Sequence, residues 1–347
     1  MHTNRLKIAA PVCSVKEAEA CIKAGAKELY FGVMPDDWSR IFGESDQLTR
    51  RQGKLSHIRN MEEVRTVIQT AHNYDCSVSL AINARYSKVQ ESFIWDILQM
   101  WEENGGDAVI LNDPGIIMGL RERASSLELH LSTLAGVFNS ASAAFFAELG
   151  ISRIILPRDL FIEEIGALIL SGPDIAYEVI VMNQKCLFID GWCGFFHDVR
   201  IPSDVPSEFD YEIIPGKSLP IVLSHDPEYE GHGCQINWRT DYQQVVYPER
   251  DDFHSPHCAA CMLMTLFGYG VEYFKIAGRA YPVEMIIRAV NFIREAADIA
   301  GSCQDHEIAL KKIRKLYEET FGEPCFGNKC YYQFQYASGE RQWKKLS

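Results

Sequence analysis

Short β-rich runs alternate with helical patterns through the first 182 residues, about 20 to 30 residues apart, which predicts repeated βα units around a parallel sheet. The predicted strands are 8–12, 28–32, 77–83, 108–112, 127–133, 153–157 and 176–182. Between them, Asn60 followed by Glu63 predicts a capping box in front of Met61, Val64, Val67, Ile68 and Ala71, which recur at helical spacing. Gly150 is placed to stop the helix that runs through Ala141 and Phe145. A long stretch, 183–270, shows little periodicity. Beyond it 273–276 reads as an eighth strand, and Pro282 opens an amphipathic helix that runs to Gly301.

Eight strand–helix units in sequence predict an α/β fold, a closed TIM-like (β/α)8 barrel. A doubly wound open sheet normally carries a glycine-rich turn after its first strand, and Ala10-Pro11-Val12-Cys13-Ser14 is not one. The expected organisation is seven barrel units in 1–182, a cysteine-rich insertion in 183–270, the last unit in 271–301 and a C-terminal extension in 302–347. Working residues of such a barrel sit at the C-terminal strand ends. Here those ends hold Cys13, Gly32, Asn83, Asp113, Thr133, Arg158, Asn183 and Arg279.

A composition of 47% hydrophobic and 23% charged residues describes a globular chain rather than a disordered one. The formal charge of −13 opposes broad binding along a nucleic-acid backbone, where each phosphate contact needs a cation, so contact with RNA would require a local basic patch. No apolar run reaches the roughly 20 residues of a membrane span, and the N-terminus lacks a signal-like apolar region; the chain is expected to be cytoplasmic. Eleven cysteines in that compartment point to metal ligation or catalysis before disulfides.

Cys21 and Cys76, in a helical pattern and at a strand entrance, read as small buried apolar side chains. Cys13 stands at a strand end but lacks a matched histidine. The 183–270 stretch holds Cys186, Cys193, Cys234 and the C-x-x-C pair Cys258 and Cys261. So long a loop needs a constraint other than a core, and soft thiolates around a metal provide one. Spacing leaves structural zinc and an iron–sulphur cluster both open, since each accepts four cysteines. Cys325 and Cys330 have three roles open to them: a second site, closure onto the barrel, or none. Cys303 has no partner at a diagnostic spacing.

Several strings taken together resemble the collagenase-like peptidase family U32. They are Ala10-Pro11, Glu28-Leu-Tyr-Phe-Gly32, Leu131-Ser-Thr133 with Asn139, Leu156-Pro-Arg-Asp-Leu160, the C-x6-C of 186 and 193, and Phe274-Lys-Ile-Ala-Gly-Arg279. The resemblance covers roughly residues 6 to 300. It implies a [4Fe–4S] cluster and oxygen-independent hydroxylation of a small aromatic molecule or an RNA base, with prephenate as a source of the oxygen atom. It further implies Cys186 and Cys193 as the first two ligands, Cys234 in the Gly233-Cys234-Gln235 block as the third, and Cys258 or Cys261 as the fourth. A second subunit of the same family is an implied partner. Two positions depart from the family pattern: Ala277 stands where glutamate is usual, and Cys13 where glycine is usual. Substrate identity is therefore not transferred.

A small carboxylate at the barrel mouth would meet Arg158 or Arg279, whose planar guanidinium groups suit bidentate binding. Asn83, Asp113 and His130 are candidates for substrate hydrogen bonds or proton transfer. The alternative for Arg158 is a salt bridge, for Arg279 anchorage of the last strand, and for His130 a satisfied core position. No catalytic residue is identified from the sequence. Two other readings compete, a hydrolase and a cluster-carrying subunit without activity of its own. Neither H-E-x-x-H nor G-x-S-x-G occurs.

Overall fold

The structure is a computed structural model. It describes residues 6–42, 48–51, 56–183, 186, 189–192, 256–279, 281–325 and 329–331, and the backbone alone of short strands within 199–244. In chain order the strands are β1 (Lys7–Pro11), β2 (Glu28–Val33), β3 (His57–Ile58), β4 (Ser77–Ile82), β5 (Ala108–Leu111), β6 (Glu128–Leu131), β7 (Arg153–Ile155) and β8 (Ala176–Asn183). There follow β9 (Val199–Arg200), β10 (Glu208–Ile214), β11 (Lys217–Ser224), β12 (Glu230–Gly231), β13 (Asn237–Thr240), β14 (Gln243–Gln244), β15 (His257–Cys258) and β16 (Tyr273–Ile276).

Strands β1, β2, β4, β5, β6, β7, β8 and β16 pair in parallel in that order, and β16 returns to β1, so the sheet closes. This is the expected barrel. Full closure leaves no sheet edge to protect, and the strands are accordingly buried almost from end to end: β2 and β5 have no exposed position.

The outer ring consists of α1 (Val15–Ala24), α2 (Asp36–Phe42), α3 (Met61–His72), α4 (Glu91–Glu103), α5 (Pro114–Glu122), α6 (Ser140–Glu148), α7 (Ile162–Ser171), α8 (Leu263–Gly268) and α9 (Val283–Ser302), with α10 (His306–Phe321) packed on α9. Val64, Val67, Ile68 and Ala71 are the buried face of α3, as their spacing predicted. Its cap differs in detail. The Asn60 side chain accepts from the Glu62 N–H at 2.8 Å, while Glu63 turns away and accepts from the Val15 N–H of α1 at 3.3 Å. Glu63 thus ties two neighbouring units together instead of closing a box.

Local pattern did not reveal α2, β3 or the strands inside the insertion. Strands β10, β11, β13 and β14 form an antiparallel sheet, and β9 pairs with β12. The run Glu208-Phe-Asp-Tyr-Glu-Ile-Ile alternates polar and apolar residues, and Pro215-Gly216 separates it from β11, which is hairpin chemistry. The 183–270 stretch therefore contains regular structure as well as loops. Among the described residues no helix is long and apolar enough to cross a membrane.

Candidate functional site

The two ends of the barrel carry different chemistry. Near the N-terminal ends of the strands lies a buried ionic layer built from Glu28 of β2, Arg153 of β7, Glu178 of β8 and Lys275 of β16, each at most 6% exposed. Arg153 bridges both carboxylates, and Lys275 donates to Glu178 at 2.9 Å. Ser79 donates to Glu28 at 2.7 Å. The Arg153 guanidinium lies 3.5 Å from the centre of the Tyr273 ring and Lys275 Nζ 3.7 Å from that of Tyr30. Two cations and two carboxylates balance, which is how charge survives inside a barrel. Burial alone would raise the Glu178 pKa; Lys275 and Arg153 overcome that and hold it below the usual carboxylate range. His130 is part of this layer, with Nε2 3.2 Å from Glu128 and Nδ1 4.0 Å from Glu28. It faces the barrel interior at 1% exposure, away from the mouth.

The C-terminal mouth contains a different arrangement. Arg279, just past β16, is 8% exposed. Its Nη2 donates to Thr49 Oγ1 at 3.2 Å; among the described residues its Nη1 has no hydrogen-bond partner and no carboxylate pairs with it. Gly32 makes the space, since a Cβ there would lie 2.5 Å from Nη1 and 2.8 Å from the His57 ring. That is why the Glu28-to-Gly32 string must end in glycine. Thr49 donates to the Arg51 carbonyl at 2.9 Å, so its single hydroxyl hydrogen is used, and His57 Nε2, 3.0 Å away, must be the donor. Arg51 in turn donates to the Arg279 carbonyl at 3.1 Å. Burial lowers the Arg279 pKa to about 10; the neighbouring Tyr30 and Cys13 oppose the drop and Arg51 adds to it. A guanidinium still charged at neutral pH, buried, with one donor unsatisfied, has the chemistry to receive an anion.

Asn83 borders this cradle. Its Oδ1 accepts from the Arg50 N–H at 3.1 Å and its Nδ2 donates to Ser132 at 3.2 Å, so it joins the 48–51 segment to the end of β6. Asp113 caps α5, accepting from Gly115 N–H at 2.8 Å and Ile116 N–H at 3.4 Å. Capping accounts for its carboxylate. The sequence reading missed Tyr30, Thr49, Arg51 and His57; the adjacent arginines of Thr49-Arg50-Arg51 were the signal available.

Arg158 is placed otherwise than Arg279. Its Nε donates to Asp190 Oδ2 at 3.0 Å, its Nη2 reaches Oδ1, and its backbone N–H also donates to Oδ2 at 3.0 Å. Burial disfavours both charges, yet each holds the other ionised: Arg158 is raised well above its usual range and Asp190 lowered. Asp159 accepts from the Asp190 N–H at 2.9 Å. Asp190 lies between Cys186 and Cys193 in sequence, so the Leu156-to-Leu160 string positions the C-x6-C segment. Gly191 adds a second anchor, with φ of +86° and only 2.5 Å from its would-be Cβ to the Leu134 carbonyl. Arg158→Ala is expected to cost about 3–5 kcal/mol, the range for breaking a buried pair, and to speed limited proteolysis around Asp190. Unchanged denaturant midpoint and cleavage rate would refute this positioning role.

The thiols divide in the same way. Cys21 and Cys76 are buried, and burial pushes both up to about 12, which suits inert core positions. Cys186 leaves the mouth three residues beyond β8, and antiparallel β15 sets Cys258 beside Met182 of that strand. Both ends of the cysteine-bearing segment therefore converge on one strand end. Cys193 and Cys234 lie outside the described residues. Among those described, no three His, Cys, Asp or Glu side chains already stand as a metal ligand set. The two described thiols near this strand end, Cys186 and Cys258, are soft donors of the type that zinc and iron–sulphur clusters both accept.

Fold and site together define a TIM-like barrel protein with a buried cationic cradle and a thiol-bearing segment at its mouth. The chain belongs to Peptidase family U32, whose family model matches residues 13–337. Among curated relatives, "tRNA hydroxylation protein P" of Escherichia coli (strain K12) is 33% identical over 135 residues, 39% of this chain and 30% of that protein. "tRNA hydroxylation protein P2" of Bacillus subtilis (strain 168) is 25% identical over 284 residues, 78% of this chain and 82% of the relative. "23S rRNA 5-hydroxycytidine C2501 synthase" of E. coli is 23% identical over 298 residues, 86% of this chain and 40% of the relative. The chain thus spans under a third of the first of these proteins and less than half of the last.

Proposed function

We propose that this chain is an iron–sulphur enzyme of oxygen-independent hydroxylation, acting on a base in RNA, with a small carboxylate of the prephenate class held at Arg279. The observation that carries the reading is the unsatisfied, buried Nη1 of Arg279 at the strand end where a barrel binds its substrate. The relatives' names, two for tRNA hydroxylation and one for a hydroxycytidine in rRNA, support the reaction class.

Cys186, Cys193 and Cys234 would hold the cluster, and the resemblance draws a fourth thiolate from Cys258 or Cys261. When bound, the cluster supplies one-electron redox chemistry. Arg279 fixes the carboxylate, and Arg51 adds positive potential beside it. The Thr49 hydroxyl and the His57 N–H hold the guanidinium fork in one orientation. In an acidic protein, Arg50, Arg51 and Arg279 supply the local cations that an anionic ligand and an RNA phosphate need.

Anaerobically purified protein is expected to be brown, to absorb broadly near 400 nm, and to contain about four irons per chain. Cys186→Ala and Cys193→Ala should abolish iron retention, whereas Cys21→Ala and Cys76→Ala should leave it intact. Mass spectrometry of RNA nucleosides from cells with and without the intact gene tests the activity. Loss of a nucleoside bearing one added oxygen is the expected result; colourless, iron-free protein together with unchanged RNA would refute the reading.

A further inference from the structure

We propose that Ser132 is a second anchor of the barrel-mouth site, donating its hydroxyl hydrogen to an acceptor oxygen at the far end of the carboxylate that Arg279 holds. This rests on the reading of Arg279 given above and narrows the ligand class to carboxylates that carry a second oxygen function. Ser132 directly follows β6 and is 4% exposed. Its backbone N–H donates to the Leu111 carbonyl at 2.7 Å, which fixes this strand end against β5. Side chains alternate between the two faces of a strand, so Ser132 shares the inward face of His130. The contact with Asn83 agrees with that placement: β5 stands between β4 and β6 in the sheet, and a side-chain bond from the end of β4 to the end of β6 is made across the mouth.

Asn83 Oδ1 accepts from the Arg50 N–H at 3.1 Å, so its Nδ2 is the end that faces Ser132, and at 3.2 Å it can only donate. The Leu134 N–H donates to the same Ser132 oxygen at 3.3 Å. A hydroxyl oxygen has two lone pairs, and these two donors fill them. The hydroxyl hydrogen remains, with no acceptor among the described residues. A buried donor in this state costs free energy until something accepts from it. Arg279 Nη1 is in the same condition, three strands further round the ring, from β6 through β7 and β8 to β16. One frame holds both donors: Thr49 accepts from Arg279, the adjacent Arg50 donates to Asn83, and Asn83 donates to Ser132. Neighbouring strands lie about 4.8 Å apart, so a ligand that meets both donors has the length of an aromatic acid rather than of acetate.

Calorimetry on the anaerobic full-length protein with para-hydroxyphenylpropanoate and phenylpropanoate, which differ by one oxygen at the end away from the carboxylate, tests this. The parent should bind the hydroxylated acid about 10-fold more tightly, the factor equivalent to one hydrogen bond from a buried donor. That preference should disappear in Ser132→Ala, and also in Ser132→Cys, whose thiol is only a weak donor. Losing the acceptor for Asn83 and Leu134 would lower the affinity for both acids together, so the ratio separates a binding role from structural damage. Equal affinities in the parent, or a preference that survives in either variant, overturns the proposal. If Arg279→Met abolishes binding of both acids while the parent binds them equally, Ser132 alone is removed from the site. Binding of neither acid to the parent removes Arg279 with it.

Discussion

Arg279→Met is expected to weaken binding of a small carboxylate at the barrel mouth by roughly 30-fold or more, the equivalent of about 2–5 kcal/mol for losing one partner of a buried charge pair. Methionine keeps most of the side-chain length and removes the charge. The ligand-free protein should respond in the opposite sense. Arg279 has no carboxylate partner among the described residues, and its burial lowers its pKa to about 10, so an uncompensated buried charge is being removed and the denaturant midpoint should hold or rise. Arg279→Lys, which keeps the charge but loses the fork, should fall between parent and methionine variant in affinity. Calorimetry with prephenate on the anaerobic protein, paired with urea unfolding of the ligand-free variants, reads both quantities. A large loss of stability with unchanged affinity would make Arg279 a structural anchor of the last strand.

At the other end of the barrel, Arg153→Ala should cost about 3–5 kcal/mol, because Glu28 and Glu178 then share the interior without the cation that bridges them. The double variant Arg153→Met/Glu28→Gln should recover much of that loss, since Lys275 still matches Glu178. The same layer sets the response of the parent protein to acid. The Glu178 carboxyl is lowered from the usual 4.5 to about 2, so the folded state holds its proton less tightly than the unfolded chain does. Its contribution to stability is complete above about pH 4.5 and is lost as the pH falls towards 2. Unfolding midpoints measured from pH 7 down to pH 3 should decline only below about 4.5 for this group. In Arg153→Ala, Glu178 keeps Lys275 but loses its second cation, so the decline with acid should become shallower without disappearing. A single-site variant as stable as the parent would mean that the layer contributes packing and no net charge pairing.

The barrel could be read from the sequence because its elements are set locally. A parallel strand buried on both faces must be a short, continuous apolar run, and a helix on the outside must repeat its apolar residues every three or four positions. All eight barrel strands were visible on that ground, down to Tyr273–Ile276 after a long interruption. The thiols of 186–261 were conspicuous for a similar reason: five cysteines crowded into one stretch stand out by sequence alone.

What local pattern could not decide is which charges meet. Arg158 and Arg279 look alike in the sequence, each polar and each at a strand end. Only the return of the chain after β8 puts Asp190 against Arg158, while Gly32 and Thr49, more than 200 residues away in sequence, shape the space around Arg279. His130 reads as either a proton-transfer candidate or a satisfied core position until closure of the sheet turns it inward beside Glu28. Cys325 and Cys330 have no meaning by spacing until α10 carries them back to Cys258. The sequence by itself determined the strands, their order and the crowd of thiols, because burial and periodicity are properties of neighbouring residues. The tertiary structure decided which arginine pairs with a carboxylate and which has none among the described residues, because an ion pair depends on distances that only barrel closure brings about.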